Sequence, residues 1–239
     1  MARITTICGM SKASAWIFAL TYVGYATFYF DRKPLTVAKS QMTLPDAFGA
    51  ESSLSMHVLS VLDTGFLASY AAAQLALAPL AGRTESSLGL LVLFGGSALC
   101  CALLALAHSQ WLLLLLWSAN GGFQALAYPL CVKALNPHVE PSVRGRVMGL
   151  WTTCQSAGSV LANVVAAYAM HRYGWRAAFA VPAAFVAAAG LALYRFLPAD
   201  GASSGGGGGK GGKGLGPVAL ESIRYKILED PSCCSEFFM

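Results

Sequence analysis

Charged residues are scarce in this sequence. Only 11% of its 239 residues are Asp, Glu, Lys or Arg, whereas 56% are hydrophobic, and soluble domains carry about 25% charged residues. This shortage excludes an ordinary soluble domain. The mean hydropathy of +0.58 instead indicates a chain that lies in a lipid bilayer.

Sequence motifs typical of catalytic, nucleotide-binding and zinc sites are also missing. It contains no P-loop, nucleophile elbow or zinc motif. The four histidines fall outside ligand spacing, and most of the seven cysteines fall in apolar runs, so neither a metal site nor a disulfide framework is expected. We therefore expect no enzyme activity, no metal and no cofactor. The net charge of +5 reflects loop charges and indicates no nucleic-acid partner.

Long apolar runs dominate the rest of the chain. A bilayer core of about 30 Å is spanned by roughly 20 apolar residues in a helix. The sequence predicts an all-α membrane protein with six transmembrane helices, at Ala13–Val37, Val58–Ala81, Leu88–Ala107, Trp111–Val132, Val147–Met170 and Ala177–Leu197.

The loop charges predict an orientation for these helices. Lys and Arg are retained on the cytoplasmic side. With the N-terminus inside, inner segments hold 11 of these residues and outer segments hold 3, among them Lys39. We therefore expect a multi-pass protein with both ends in the cytosol.

Composition divides the chain into four parts. Residues 1–12 form a cytosolic N-terminus and residues 13–198 the membrane domain. Residues 199–217 form a glycine-rich flexible linker, and residues 218–239 begin a further cytosolic segment that includes a short amphipathic helix.

The first apolar run contains three consecutive charged residues, Asp31, Arg32 and Lys33. Arg32 follows Tyr22, Tyr25 and Tyr29, which share one helical face with it. A guanidinium at this depth usually faces a polar cavity or a partner, and its planar donors match a phosphate oxyanion. This pattern predicts an anion site. The alternative is that Asp31 neutralises its neighbours while the cations reach toward the headgroups.

Other residues of the spans are candidates for supporting roles. Asp63 in the second run is a candidate charge partner of Arg32 or Lys33, in a structural or a transport role. Gly158, Ala162 and Ala166 repeat every four residues in the fifth run, a pattern typical of close helix packing in lipid.

Several segments together resemble a known family. "YATFYFDRKPLTVAKSQM", "VLDTGFLASYA", "NGGFQALAYPLCVKAL" and "RGRVMGLWTTCQSAGSVLANVVA" are similar to helices one, two, four and five of the organophosphate:phosphate antiporters of the major facilitator superfamily. The resemblance is closest to the branch that exchanges sugar phosphates and glycerol phosphate. It covers residues 12–198 and implies the N-terminal half of that fold, which is built of two three-helix repeats.

The resemblance also implies a function and its residues. It implies exchange of a sugar phosphate or glycerol phosphate for inorganic phosphate, in the endoplasmic reticulum membrane or else the plastid envelope or plasma membrane. The implied substrate-binding residues are Arg32, Tyr25, Tyr29, Lys33 and Gln124, with Gln155 where some members of the family have a histidine.

The chain departs from the family in length. Members have twelve helices, and their second half contributes another arginine to the phosphate. We therefore expect a partial sequence, a truncated product, or a half-transporter that pairs with another half or with a second copy. A transport-incompetent or regulatory membrane protein of the same fold is the alternative function.

Overall fold

A computed structural model describes residues 12–44, 54–198 and 200. The expected N-terminal segment, most of the first outer loop, the glycine-rich linker and the segment after it lie outside these residues. The described part is all α-helical apart from two 3₁₀ turns. Its helices are α1 (Lys12–Phe28), α2 (Pro34–Met42), α3 (Met56–Arg83), α4 (Ser86–Leu106), α5 (Gln110–Gln124), α6 (Ala127–Leu135), α7 (Arg144–Tyr173) and α8 (Ala177–Phe196).

These eight helices correspond to the six expected spans, because two of the spans are broken. The first consists of α1, a 3₁₀ turn at Tyr29–Asp31 and α2. The fourth consists of α5 and α6. The expectation of an all-α chain with six spans is confirmed, and the structure adds that two of the six spans are each divided into two helices.

A proline lies just after each of the two breaks, although Pro79 in α3 and Pro182 in α8 leave their helices continuous. A proline within a helix has no N–H to donate, and its ring clashes with the carbonyl group four residues earlier. Pro34 follows Phe30 by four residues, and Phe30 lies in the 3₁₀ turn. Pro129 follows Ala125 by four residues, and Ala125 lies where α5 ends. The interrupted spans therefore leave Arg32 and Gln124 beside irregular backbone.

Three of the described helices are individually long and apolar enough to cross a membrane: α3, α4 and α8. The spans made of α1–α2 and α5–α6 consist of helices shorter than 18 residues. Helix α7 has 30 residues but begins with Arg144 and Arg146, so it extends past the apolar run at both ends.

Helix packing places α4 at the centre, against α5 and α8, while α3 packs on α5 and α1 packs on α7. Two glycines permit the closest approaches. A Cβ added to Gly121 of α5 would lie 2.4 Å from the carbonyl oxygen of Phe66 in α3. A Cβ added to Gly158 of α7 would lie 2.3 Å from the carbonyl oxygen of Ala26 in α1. Gly158, Ala162 and Ala166 are all buried, which confirms their expected packing role.

Candidate functional site

Arg32 lies directly after the 3₁₀ turn that interrupts the first span. Its Nε donates a hydrogen bond to Gln124 Oε1, and its Nη1 lies 3.5 Å from the hydroxyl oxygen of Tyr29. The guanidinium carbon is 5.0 Å from the ring centre of Tyr29 and 5.2 Å from that of Tyr70, so two aromatic faces flank the cation. These contacts fix the plane of the guanidinium.

The remaining nitrogen of Arg32 is not committed. Its Nη2 is buried, yet it has no hydrogen-bond partner within the part of the chain that the structure describes. A buried N–H that stays unpaired costs about 1–3 kcal/mol, and more when the group is charged. Such a donor, on a cation held in place from its other side, is suited to bind an anion.

The expected tyrosine face is present and is directed toward α7. The hydroxyl oxygen of Tyr22 lies 3.0 Å from Thr153 Oγ1, and the hydroxyl of Tyr29 donates a 2.8 Å hydrogen bond to Gln155 Oε1. Between them Tyr25 is almost fully buried, with its ring centre 5.4 Å from that of Trp151.

The structure therefore brings together most of the residues predicted for the site. Arg32 contacts Tyr29 and Gln124 directly, and Tyr29 connects it to Gln155. Tyr25 packs edge-on against Tyr29, with the ring centres 5.8 Å apart, and forms the inner wall.

Lys33 does not join this group. It lies at the N-terminal end of α2, and its side chain makes no hydrogen bond or ion pair to any other described residue. The alternative interpretation, in which Asp31 neutralises Lys33 or Arg32, is not seen among the described residues, because the Asp31 carboxyl is directed toward α4 instead.

The expected partner of Asp63 was wrong. Asp63 forms an ion pair with Lys39, and neither Arg32 nor Lys33 is its partner. The physical reason is the break in the first span. Because α2 begins at Pro34 and continues to Met42, Lys39 lies on a helix rather than in the outer loop, within reach of α3.

Two groups of residues in the site went unassigned on sequence alone. Tyr70 lies in a segment that carries the family resemblance, but only the structure shows its ring against Arg32. The second group is a buried polar cluster around Asp31, described in detail below. In the sequence Asp31 stands directly before Arg32 and Lys33, and the anion-site prediction was based on these cations.

Outside the site, the described residues offer no metal site. No group of three or more His, Cys, Asp or Glu among them could hold a metal ion. A cavity of about 510 Å³ lined by α3, α4, α5 and α6 has no charged side chain in its walls, which include Leu77, Val92 and Phe123. The polar site at Arg32 is separate from this apolar cavity.

At the end of the domain where α3 meets α4, a second polar group fixes the short loop. Lys133 Nζ lies 2.9 Å from Asp200 Oδ2 and donates a 2.7 Å hydrogen bond to the carbonyl oxygen of Thr84. The same Asp200 oxygen accepts hydrogen bonds of 3.0 Å from the backbone N–H and the hydroxyl of Ser86, in the first turn of α4. Burial raises the pKa of Asp200, but these hydrogen bonds outweigh it and hold the pKa below its usual value.

The chain is similar to curated transporters. It is 28% identical over 195 residues to putative glycerol-3-phosphate transporter 2 of Arabidopsis thaliana, with 78% of this chain and 38% of the relative covered. It is 29% identical over 206 residues to sugar phosphate exchanger 3 of Homo sapiens, with 74% and 41% covered. It is 26% identical over 177 residues to the membrane sensor protein UhpC of Escherichia coli, with 74% and 39% covered. The chain thus spans about two fifths of the length of these curated relatives.

A solved structure has the same fold. The crystal structure of a bacterial homologue of the human lysosomal transporter Spinster, in an inward-facing and unoccupied conformation, superposes with a TM-score of 0.68 at 18% identity. The superposition covers 90% of this chain and 49% of that one. It confirms the fold alone.

The family follows from the sequence match together with this fold. The sequence model of the Major Facilitator Superfamily matches residues 21–231, which is most of the chain. The expected resemblance to the branch that carries organic phosphates is confirmed by the relatives, and membership in a superfamily of transporters accords with the expectation that the chain is not an enzyme. The chain belongs to the Major Facilitator Superfamily and has the fold of its N-terminal half.

Proposed function

We propose that this chain binds the phosphate group of a sugar phosphate or glycerol phosphate at Arg32 and takes part in exchanging it for inorganic phosphate across a membrane. The observation that carries the proposal is the buried Nη2 of Arg32, which has no hydrogen-bond partner among the residues that the structure describes. A phosphate oxygen would accept a charge-assisted hydrogen bond from that nitrogen, and such bonds are stronger than those between neutral groups.

The surroundings of Arg32 support an anion rather than a fixed ion pair. Its neighbours Tyr29, Tyr70, Gln124 and Gln155 carry no negative charge, so they orient the guanidinium without neutralising it. The nearest acid in sequence, Asp31, is turned toward α4. The positive charge therefore remains available to a ligand. The printed names of the plant and human relatives, which are transporters of glycerol 3-phosphate or exchangers of sugar phosphate, give the ligand class.

Transport would need more than the residues described. Alternating access in this superfamily proceeds by movement of one half against the other around a site near the middle of the membrane. In the proposed function, a second half or a second copy of the chain supplies the other wall of the site and a second cation. The endoplasmic reticulum membrane is the proposed compartment, with the plastid envelope and plasma membrane as alternatives.

A sensor is the second candidate function. The bacterial relative is a membrane sensor protein by name. In that case the site at Arg32 would bind an organic phosphate without moving it, and the chain would be a regulatory, transport-incompetent member of the fold.

Binding is the first measurement. The purified 239-residue chain in lipid nanodiscs is titrated with radiolabelled glycerol 3-phosphate and with inorganic phosphate. Arg32→Lys keeps the charge and loses the planar set of donors, so affinity should fall about tenfold to a hundredfold, because a hydrogen bond to a charged group contributes about 1.5–3 kcal/mol. Arg195→Lys, at an exposed position in α8, is the matched control and should bind as the wild type does. Equal binding by Arg32→Lys would exclude the proposed site.

Exchange is the second measurement. The chain is reconstituted in phosphate-loaded liposomes, and uptake of labelled phosphate is followed. Saturable uptake that is lost in Arg32→Lys supports a transporter. Binding without uptake supports a chain that does not transport alone, as a sensor or as one half of a transporter. Co-reconstitution with the second half of a relative then separates these two, because only the half-transporter should gain uptake.

A further inference from the structure

Asp31 is the acid that the phosphate site does not use. It is fully buried, and no cation forms an ion pair with it among the described residues. Its Oδ2 lies 3.0 Å from the hydroxyl oxygen of Ser97 on α4, and its Oδ1 is buried without any partner in the described part of the chain. Among the described residues, an ionised carboxylate in this position would have one hydroxyl donor, Ser97, and beyond it only the weak thiol donor of Cys101.

The hydrogens of the cluster can be counted. Ser97 has one hydroxyl hydrogen, yet two acceptors lie within reach: Asp31 Oδ2 at 3.0 Å and Asn120 Oδ1 at 2.7 Å. The orientation of the Asn120 side chain is fixed, because its Nδ2 donates to the backbone oxygen of Asp31 at 3.2 Å. With Asp31 ionised, Ser97 can donate to only one of the two acceptors. One short contact between oxygens would then lack a hydrogen.

A proton on Asp31 removes this conflict. The carboxylic acid then donates from Oδ2 to Ser97, and Ser97 donates to Asn120. Each of these contacts has one hydrogen, and the oxygen left without a partner is an uncharged carbonyl rather than half of a carboxylate. Burying an unpaired neutral oxygen costs much less than burying an unpaired charge.

The same cluster is connected to the phosphate site. Gln124 Nε2 donates to Asn120 Oδ1 at 3.1 Å, and Gln124 Oε1 accepts from Arg32 Nε. A continuous chain of hydrogen bonds therefore runs from the Asp31 carboxyl through Ser97, Asn120 and Gln124 to the guanidinium. The proton on Asp31 and an anion on Arg32 act on the two ends of one network.

The other groups around Asp31 are neutral or directed away from it. Helix α4 contributes the thiols of Cys100 and Cys101, the second of which lies 3.8 Å from the backbone oxygen of Asp31. Helix α5 contributes only neutral amides, and α8 packs Phe185 against Phe30. The titratable group that α7 presents here, Cys154, lies beside Tyr29. Arg32 is the cation that the hydrogen-bond network joins to Asp31, and an anion bound there would change the charge at that end of the network.

We infer that Asp31 is a proton-binding site coupled to the anion site: its carboxyl binds a proton in the ligand-free protein, holds that proton to higher pH while an anion lies on Arg32, and releases it to water more readily once the anion leaves. An empty, positive Arg32 favours the ionised carboxylate, and a bound anion cancels that field and favours the acid. By reciprocity the proton strengthens anion binding by the same factor. The coupling rests on the proposed function, whereas the protonated state of Asp31 does not.

The first test therefore uses no phosphate. Infrared spectra of the full chain in nanodiscs, recorded from about pH 5 to pH 8, should show the C=O stretch of a buried carboxylic acid. The band should be absent in Asp31→Asn and shifted in frequency in Ser97→Ala, which removes the acceptor of its proton. Asp63→Asn, which changes an acid paired with Lys39, should leave the band in place. A pH series with no band that depends on Asp31 would overturn the inference, whatever the outcome for Arg32→Lys.

The second test measures the coupling. Inorganic phosphate affinity is measured across the same pH range in the wild type and in Asp31→Asn, so that the ionisation of phosphate itself is common to both proteins. Wild-type affinity should fall relative to the variant by up to about tenfold per pH unit as Asp31 ionises, the slope for one linked proton. Parallel curves would show that the proton and the anion bind independently, which contradicts the coupling and leaves the proposed phosphate site intact.

Discussion

The hydroxyl of Tyr29 donates a 2.8 Å hydrogen bond to Gln155, and through this bond α7 fixes the position of the ring that lies beside Arg32. The same hydroxyl oxygen lies 3.5 Å from Arg32 Nη1. One side chain thus connects a helix of the second three-helix repeat to the cation of the first. Gln155, where some members of the family have a histidine, acts here as an acceptor for Tyr29.

Removal of the Tyr29 hydroxyl should weaken phosphate binding moderately. Tyr29→Phe keeps the aromatic face and loses the hydrogen bonds to Gln155 and Arg32. One hydrogen bond contributes about 0.5–1.5 kcal/mol, so we expect affinity to fall about two- to twelvefold. Tyr22→Phe, which loses only the contact with Thr153, is the matched control. Equilibrium binding of labelled phosphate checks this, and an equal loss in both variants would contradict a specific role for Tyr29.

Tyr70 should contribute through its ring rather than its hydroxyl. Its ring centre lies 5.2 Å from the Arg32 guanidinium carbon. A cation–π contact contributes about 0.5–2 kcal/mol, so Tyr70→Leu should reduce phosphate affinity about two- to thirtyfold while Tyr70→Phe retains most of it. The measurement is phosphate affinity, compared side by side for the wild type, Tyr70→Leu and Tyr70→Phe. If the Phe variant loses as much as the Leu variant, the hydroxyl is the contributing group.

Asp63 should be dispensable for anion binding. Its ion pair with Lys39 is partly exposed, with 29% of the Lys39 side chain and 46% of the Asp63 side chain accessible. Exposed pairs of this kind contribute about 0–1 kcal/mol. We expect Asp63→Asn to lower the unfolding temperature only slightly and to leave phosphate affinity unchanged. A fall in affinity as large as that of Arg32→Lys would mean that Asp63 acts on Arg32 after all.

Acid should loosen the end of the domain where Asp200 lies. The pKa of Asp200 is lower in the folded chain than its unfolded value of about 3.9. Its stabilising effect is therefore fully present above about pH 4 and is lost as the pH falls through the lower folded-state pKa. Asp200→Asn should remove this part of the acid sensitivity, whereas Glu140→Gln should not. Thermal unfolding followed by tryptophan fluorescence at a series of acidic pH values is the measurement, and identical acid profiles for all three proteins would refute it.

The orientation in the membrane remains a prediction from loop charges. A glycosylation acceptor inserted beside Glu51 should be modified in endoplasmic reticulum microsomes, and one inserted within residues 205–209 should not. Both positions lie outside the described residues, so the experiment depends only on the 11-to-3 asymmetry of Lys and Arg. Modification of the second site and not the first would reverse the assignment.

The sequence was most informative where a pattern repeats along one helix. Apolar run length determined the six spans, and the spacing of Tyr22, Tyr25 and Tyr29 placed all three on the face that meets α7. Both properties are local, since they depend on the geometry of a single helix.

Side-chain contacts between residues of different helices could not be predicted from the sequence in the same way. Asp63 was expected to pair with Arg32 or Lys33, whereas its pairing with Lys39 depends on where the first span breaks and on the register between α2 and α3. The side-chain partner of Asp31 could not be predicted from the sequence either. Adjacent residues of a 3₁₀ turn point about 120° apart. Asp31 and Arg32 therefore have different neighbours although they are adjacent in sequence.

The two close helix crossings limit which residues can replace Gly121 and Gly158. At Gly121 and Gly158 the backbone of the neighbouring helix occupies the space where any other residue would place its first side-chain carbon. Alanine, which is harmless at most positions in a helix, would have to push α3 from α5 or α1 from α7. Substitutions at these two positions should therefore reduce the amount of folded protein, even though neither glycine belongs to the site at Arg32, while the protein that does fold keeps its binding selectivity.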